Sequence, residues 1–211
     1  MKTGIFGAMA VLALAGTAFG AVRTINFDTD SSGNPIADLT EINTQYAGWG
    51  VNFTPNAYTG GSWATNTTLH ATSTDTGFGY DPSLGNVLHA FDTDWLYEDG
   101  DPSFLISFST GITSFSMDVV GDDYGVDGYE TFAAFFDSSF NPLGYISCNG
   151  IGGVETISAS GFGTAYYVAI APGEYYDWVG IDNITYTEDV PAPGALALLG
   201  LGGVMAGRRR R

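Results

Sequence analysis

The 211-residue chain predicts an all-β fold, an antiparallel β-sandwich of jelly-roll type. Three observations lead there. Gly is abundant, at 30 residues, and no long stretch repeats its apolar residues at the helical period. Short runs alternate apolar with polar residues instead, the period that places successive side chains on opposite faces of a strand. Asn, Asp, Gly and Pro punctuate those runs, as turns require. With about ten short strands and no helices between them, two packed antiparallel sheets are the architecture that buries one face of each.

Taken in order, the first strand is expected at residues 23–27 and the second at 46–54 (Tyr-Ala-Gly-Trp-Gly-Val-Asn-Phe-Thr). Residues 55–85 are rich in Thr, Asn, Gly and Ser, with weak strands around Trp63 and Leu69 between long loops. A strand follows at 86–91. Residues 103–109 turn Phe104, Ile106 and Phe108 to one side, and residues 113–120 do the same with Phe115, Met117 and Val119. Thr110-Gly111 between them reads as a hairpin turn. Runs 129–136 and 143–148 flank Asp137-Ser-Ser-Phe-Asn-Pro142 as a second hairpin. Strands at 154–159, 165–171 and 178–187 complete the set.

The two ends do not belong to such a domain. Lys2, an apolar stretch over residues 5–16 and Ala18-Phe19-Gly20 have the order of a secretory signal peptide, a helical segment removed by signal peptidase after Gly20 or Ala21. At the other end come Val190-Pro191-Ala192-Pro193, a fourteen-residue apolar helix at 194–207, and Arg208, Arg209, Arg210 and Arg211. The helix falls short of the roughly 20 residues that cross a bilayer comfortably, and the arginines hold at the cytoplasmic side. The domains expected are therefore a signal peptide at 1–20, a sandwich at 21–187, and a linker and tail at 188–211.

This order of Pro-x-Pro, short helix and basic stop resembles the PEP-CTERM sorting signal of exported bacterial proteins, with Ala192 where that family usually has Glu. The resemblance implies transient membrane insertion, recognition by an exosortase-type membrane protease, and delivery to the cell surface or extracellular matrix. An ordinary C-terminal anchor with a basic stop is the plain alternative.

Charge narrows the partners. All 23 acidic residues lie between Asp28 and Asp189, and of the six basic residues only Arg23 lies within 20–189, so that span carries −22. Such a surface repels phosphate backbones and anionic lipid, which excludes nucleic acid and favours cations, neutral polymers or a saline medium. The single Cys148 leaves no intramolecular disulfide and reads as a buried strand residue.

Asp28-Thr-Asp30-Ser-Ser-Gly33-Asn34 alternates oxygen-bearing residues before a Gly, the pattern of a tight loop around a hard cation or of a turn that caps its own backbone. It is no EF-hand: Pro35 interrupts it and Leu39 stands where a bidentate Glu belongs. Ile25-Asn-Phe-Asp28, residues 45–53 and Asp177-Trp-Val-Gly-Ile-Asp182 together look like exported jelly-roll domains similar to carbohydrate-binding modules. That likeness implies a structural Ca²⁺ joining Asp28 and Asp30 to Asp182. Acidic residues 121–128 could hold a second cation or form a solvated loop. Trp95 and Tyr97, interleaved with carboxylates between Asp92 and Asp101, suit stacking on sugar rings. His89 sits in a strand-like run and reads as structural. No nucleophile elbow, zinc spacing or phosphate loop is present. The chain is read as a non-enzymatic structural or adhesive matrix protein that contacts polysaccharide. A dedicated carbohydrate-binding module is the first alternative, and a polysaccharide-active enzyme the second.

Overall fold

The computed structural model describes residues 20–55, 67–73, 85–91, 102–122, 130–173 and 179–189. The signal segment, the sorting motif, the apolar helix, the arginine stop, Trp63, Trp95 and Tyr97 lie outside them. The described residues form ten antiparallel strands. They are β1 (Val22–Ile25), β2 (Thr40–Glu41), β3 (Val51–Pro55), β4 (Thr68–Thr72), β5 (Val87–Phe91), β6 (Phe104–Val120), β7 (Phe132–Phe136), β8 (Pro142–Ser147), β9 (Val154–Ala171) and β10 (Gly180–Glu188). No helix among these residues is long and apolar enough to cross a membrane.

The strands build two layers that share β6 and β9. One layer runs β3-β6-β9-β7-β8 and uses the N-terminal half of β6 with the C-terminal half of β9. The other runs β2-β4-β5-β10-β6-β9 on the opposite halves, with β1 also laid along β10. Their inner faces meet in one apolar core that includes Ile106, Phe108, Val168 and Phe135 of the first layer and Phe115, Met117, Ile181 and Tyr186 of the second. Rings cross between the layers: Phe115 meets Phe135 edge-on at 5.6 Å, and Phe108 meets Tyr186 at 4.9 Å. All-β, antiparallel and two-layered, the body is a β-sandwich.

The expected hairpin at Thr110-Gly111 is not formed. Residues 104–120 are one strand, and residues 154–171, expected as two strands, are another. Each crosses from one layer to the other. On β6 the buried residues change parity, from Ile106 and Phe108 to Phe115 and Met117. The irregular residues at the bend change the parity, which keeps apolar side chains of both halves on the core. The register shifts of the β6–β9 ladder fall between Ser107 and Ser114, where the bend is, as at other sandwich corners made by bulged strands. β9 bends at Gly161 and Gly163, whose φ values of 76° and 93° suit Gly. The parity break was legible in the sequence; its cause was not.

Smaller differences have local reasons. The run at 46–54 is strand only from Val51. Ala47–Trp49 forms a 3₁₀ turn, closed by Gly50 in the left-handed region. β2, two residues long, carries no period to read. The hairpin at 137–142 forms as expected, between β7 and β8.

Candidate functional site

The outer face of the first layer is aromatic. β7 alternates, so Ala133 and Phe135 enter the core while Phe132, Ala134 and Phe136 face out. Register sets their neighbours. On the β8 side Ser147 stands opposite Phe132 and Tyr145 opposite Ala134. On the β9 side Ala169 stands opposite Ala134 and Tyr167 opposite Phe136. Tyr145 is 75% exposed, Phe140 54% and Phe132 42%, high values for residues of this size. Glu130, Phe132, Ala134, Tyr145 and Ser147 line an open depression of about 420 Å³.

The hairpin tip adds a ring to this face. Asp137 accepts hydrogen bonds from the Ser139 and Asn141 amides at one oxygen and from the Asn141 side chain at the other. Those donors, the Asn141 side chain first, hold its carboxyl below the usual range. The turn places Phe140 at φ 61°, a left-handed conformation that a bulky residue rarely adopts. Its ring stacks on Tyr167, with centroids 3.9 Å apart and planes 14° from parallel, and Phe136 lies 6.4 Å away. Ala134, within the depression, has Tyr145 on one side and Ala169 on the other.

The outer face of the second layer is of another kind. Thr24, Thr185, Ser116 and Ser158 stand side by side across β1, β10, β6 and β9. The Thr24 and Thr185 hydroxyls are hydrogen-bonded at 2.9 Å.

The expected cation ligands separate. Asp30 spends its carboxylate on its own loop: one oxygen takes the Ser32 and Asn34 amides, the other the Asn34 side chain. Those bonds, the Asn34 side chain's first, lower its pKa. Asp28 turns the other way and accepts the Asn86 amide at 2.9 Å. Its carboxylate packs so closely on Gly85 that a Cβ there would lie 2.5 Å from an oxygen. Asp182, on β10, is 2% exposed. One of its oxygens accepts from Asn183 and the other has no partner. Burial first, then the charges of Asp118 and Asp28, push it up to about 7.

The Tyr46 hydroxyl is buried and raised well above its ordinary value, first by burial, with Asp182, Asp28 and Asp30 adding to it. The charges of Asp28, Asp30 and Asp182 thus all act on Tyr46, and that of Asp28 acts on Asp182. The residues fit a cation only in part: the orphaned Asp182 oxygen is a vacant donor. Among the described residues no three His, Cys, Asp or Glu side chains group as metal ligands.

Other expectations resolve individually. Asp122, expected at the start of a loop that is either solvated or cation-binding, is 4% exposed and accepts the Thr131 amide and hydroxyl. Residues 123–129 lie outside the described set. Cys148 is buried, and burial first, then the Asp122 charge, pushes its thiol up to about 12, which makes it a poor nucleophile. The His89 ring meets the Val179 carbonyl at 3.1 Å in the core. Arg23 pairs with Glu188 and lies over the Trp49 ring.

The aromatic face was missed in the sequence. Phe132, Tyr145 and Tyr167 lie on three strands, and only register brings them together. The alternation of β7 was the available signal: it has Phe on both faces, one more than a half-buried strand needs.

No family model matches the chain, and no curated protein matches it. Among solved structures it is similar to the K2 cleaved adhesin domain of Lys-gingipain, at 15% identity over 79% of this chain and 99% of that one, with a TM-score of 0.48. It is similar to the K1 cleaved adhesin domain of Lys-gingipain from Porphyromonas gingivalis W83 at 16% identity over 81% and 100%, TM-score 0.33. A Streptococcus pneumoniae fucose binding module matches at 10% identity over 61% and 94%, TM-score 0.34. Likenesses this distant say nothing about a ligand.

Proposed function

We propose that this is an exported surface or matrix protein whose sandwich adheres to neutral polysaccharide through the outer face of β8, β7 and β9. The observation that carries the reading is the exposure of Tyr145, Phe132 and Phe140 on one sheet face, beside Glu130 and Ser147. Aromatic rings cover the CH faces of sugars, and a carboxylate and a hydroxyl accept from sugar OH groups. A net charge of −22 on residues 20–189 opposes self-association, anionic lipid and acidic polymers at such a face, which leaves a neutral glycan. The role is adhesive and non-catalytic. Export rests on the signal-peptide pattern at 1–20, and delivery on the tail at 190–211, handled by signal peptidase and an exosortase-type protease.

Affinity electrophoresis of the full chain through gels containing neutral polysaccharides tests the adhesive role. At least one polysaccharide is expected to retard the protein, and Tyr145→Ala to weaken that binding roughly tenfold, as for loss of an interface anchor. Free migration through every polysaccharide, or full retardation of Tyr145→Ala, would overturn this reading.

A further inference from the structure

The aromatic face is too long for one sugar. Phe132 and Phe136 stand four residues apart on β7, about 13 Å at the rise of an extended strand. One end holds the depression between Phe132 and Tyr145, the other the Phe140 ring on Tyr167. Between Phe132 and Phe136 the one outward residue of β7 is Ala134, which lines the depression, and Ala169 stands beside it on β9.

Phe140 carries the argument further. Its place in the turn is one that Gly fills without strain, yet it holds a bulky ring at φ 61°. Tyr167 covers one side of that ring, and 54% of the residue stays exposed. Phe27 and Leu39 hold similar φ values, so the strain alone marks no site; what distinguishes Phe140 is an exposed ring stacked beside the depression.

Resting on the adhesive reading above, we propose that the face is a two-platform site for an internal run of several sugars of a linear neutral polysaccharide laid along β7. A single terminal sugar could reach one platform only. Binding by two linked platforms strengthens with ligand length until both are filled, then levels off.

Titration calorimetry of the full chain with glucose and with β-1,4- and β-1,3-linked gluco-oligosaccharides of two and six residues tests this, beside the gel assay. The six-residue ligand of at least one series is expected to bind at least tenfold more tightly than its two-residue counterpart. Tyr145→Ala and Phe140→Gly should each reduce that gain to less than threefold. Phe140→Gly gives up the stack on Tyr167 but relieves the strained turn, so it should still melt cooperatively close to wild type, and its lost affinity would then not reflect misfolding. Equal affinity at every length, or an unchanged six-residue affinity in Phe140→Gly, overturns the two-platform site and leaves the adhesive reading standing. Absence of binding at all lengths together with free migration in every gel overturns both.

Discussion

Asp182 shows what one side chain contributes to the stability of this body. Its carboxyl titrates near 7 in the fold against about 3.8 when unfolded. A raised carboxyl means that the folded chain binds more protons than the unfolded chain across that interval, so stability falls as pH rises. Without divalent cations, the melting temperature should therefore decline between about pH 4 and pH 7. Asp182→Asn should flatten that decline and be the more stable form at pH 7, by on the order of 1–3 kcal/mol after allowance for relaxation around a buried charge. A slope unchanged in Asp182→Asn would assign it to other groups. Millimolar Ca²⁺ should raise the wild-type melting temperature at pH 7 and leave Asp182→Asn unmoved, because a cation would satisfy the orphaned oxygen. If neither Ca²⁺ nor EDTA shifts the wild type, no cation belongs there. The acidic loop was legible in the sequence, but Asp30's commitment to its own turn was not, because a hydrogen-bonded Asx turn and a cation loop use the same residues.

At the scale of the element, β6 and β9 hold the two layers together, and their shared bend is closely packed. Gly111 sits at that bend. A Cβ there would lie 2.1 Å from the Thr164 methyl and 3.2 Å from the Tyr166 ring, on the strand alongside. Gly111→Val should cost roughly 1–3 kcal/mol, the usual penalty of overpacking, seen as a lower midpoint in urea. Gly161→Ala meets no steric contact but carries strain from φ 76°, and serves as the comparison. Stability equal to wild type in Gly111→Val would show that the strands do not pack closely there. In the sequence this Gly follows Thr110 between two alternating runs, which is also how a tight turn looks. Only pairing distinguishes them: both halves of β6 hydrogen-bond to β9 and not to each other.

The body at 20–189 is a sandwich with two unlike outer faces, and its first and last strands pair. β1 lies along β10, and the Glu188 amide donates to the Ala21 carbonyl at 2.9 Å. Gly20 and Asp189, the limits of the described body, therefore emerge from neighbouring strands. If the sorting tail functions as its pattern implies, the native protein recovered from its source should begin at Ala21 or Val22 and lack residues 194–211, as read by intact-mass spectrometry. A mass that retains either end would overturn that processing. Loss of the tail would remove four of the six basic residues and leave the anionic body.

Composition and period were enough to establish an all-β body with antiparallel pairing, because alternation and turn residues are local properties of a chain. The aromatic face, the merging of four expected strands into β6 and β9, and the burial of Asp182 with one unpartnered oxygen came from the tertiary structure. Each depends on which strands pair and in what register. Pairing is set by burial across the entire core, and residues such as Tyr145 and Tyr167, 22 positions apart, carry no mark in the sequence that they will share a surface.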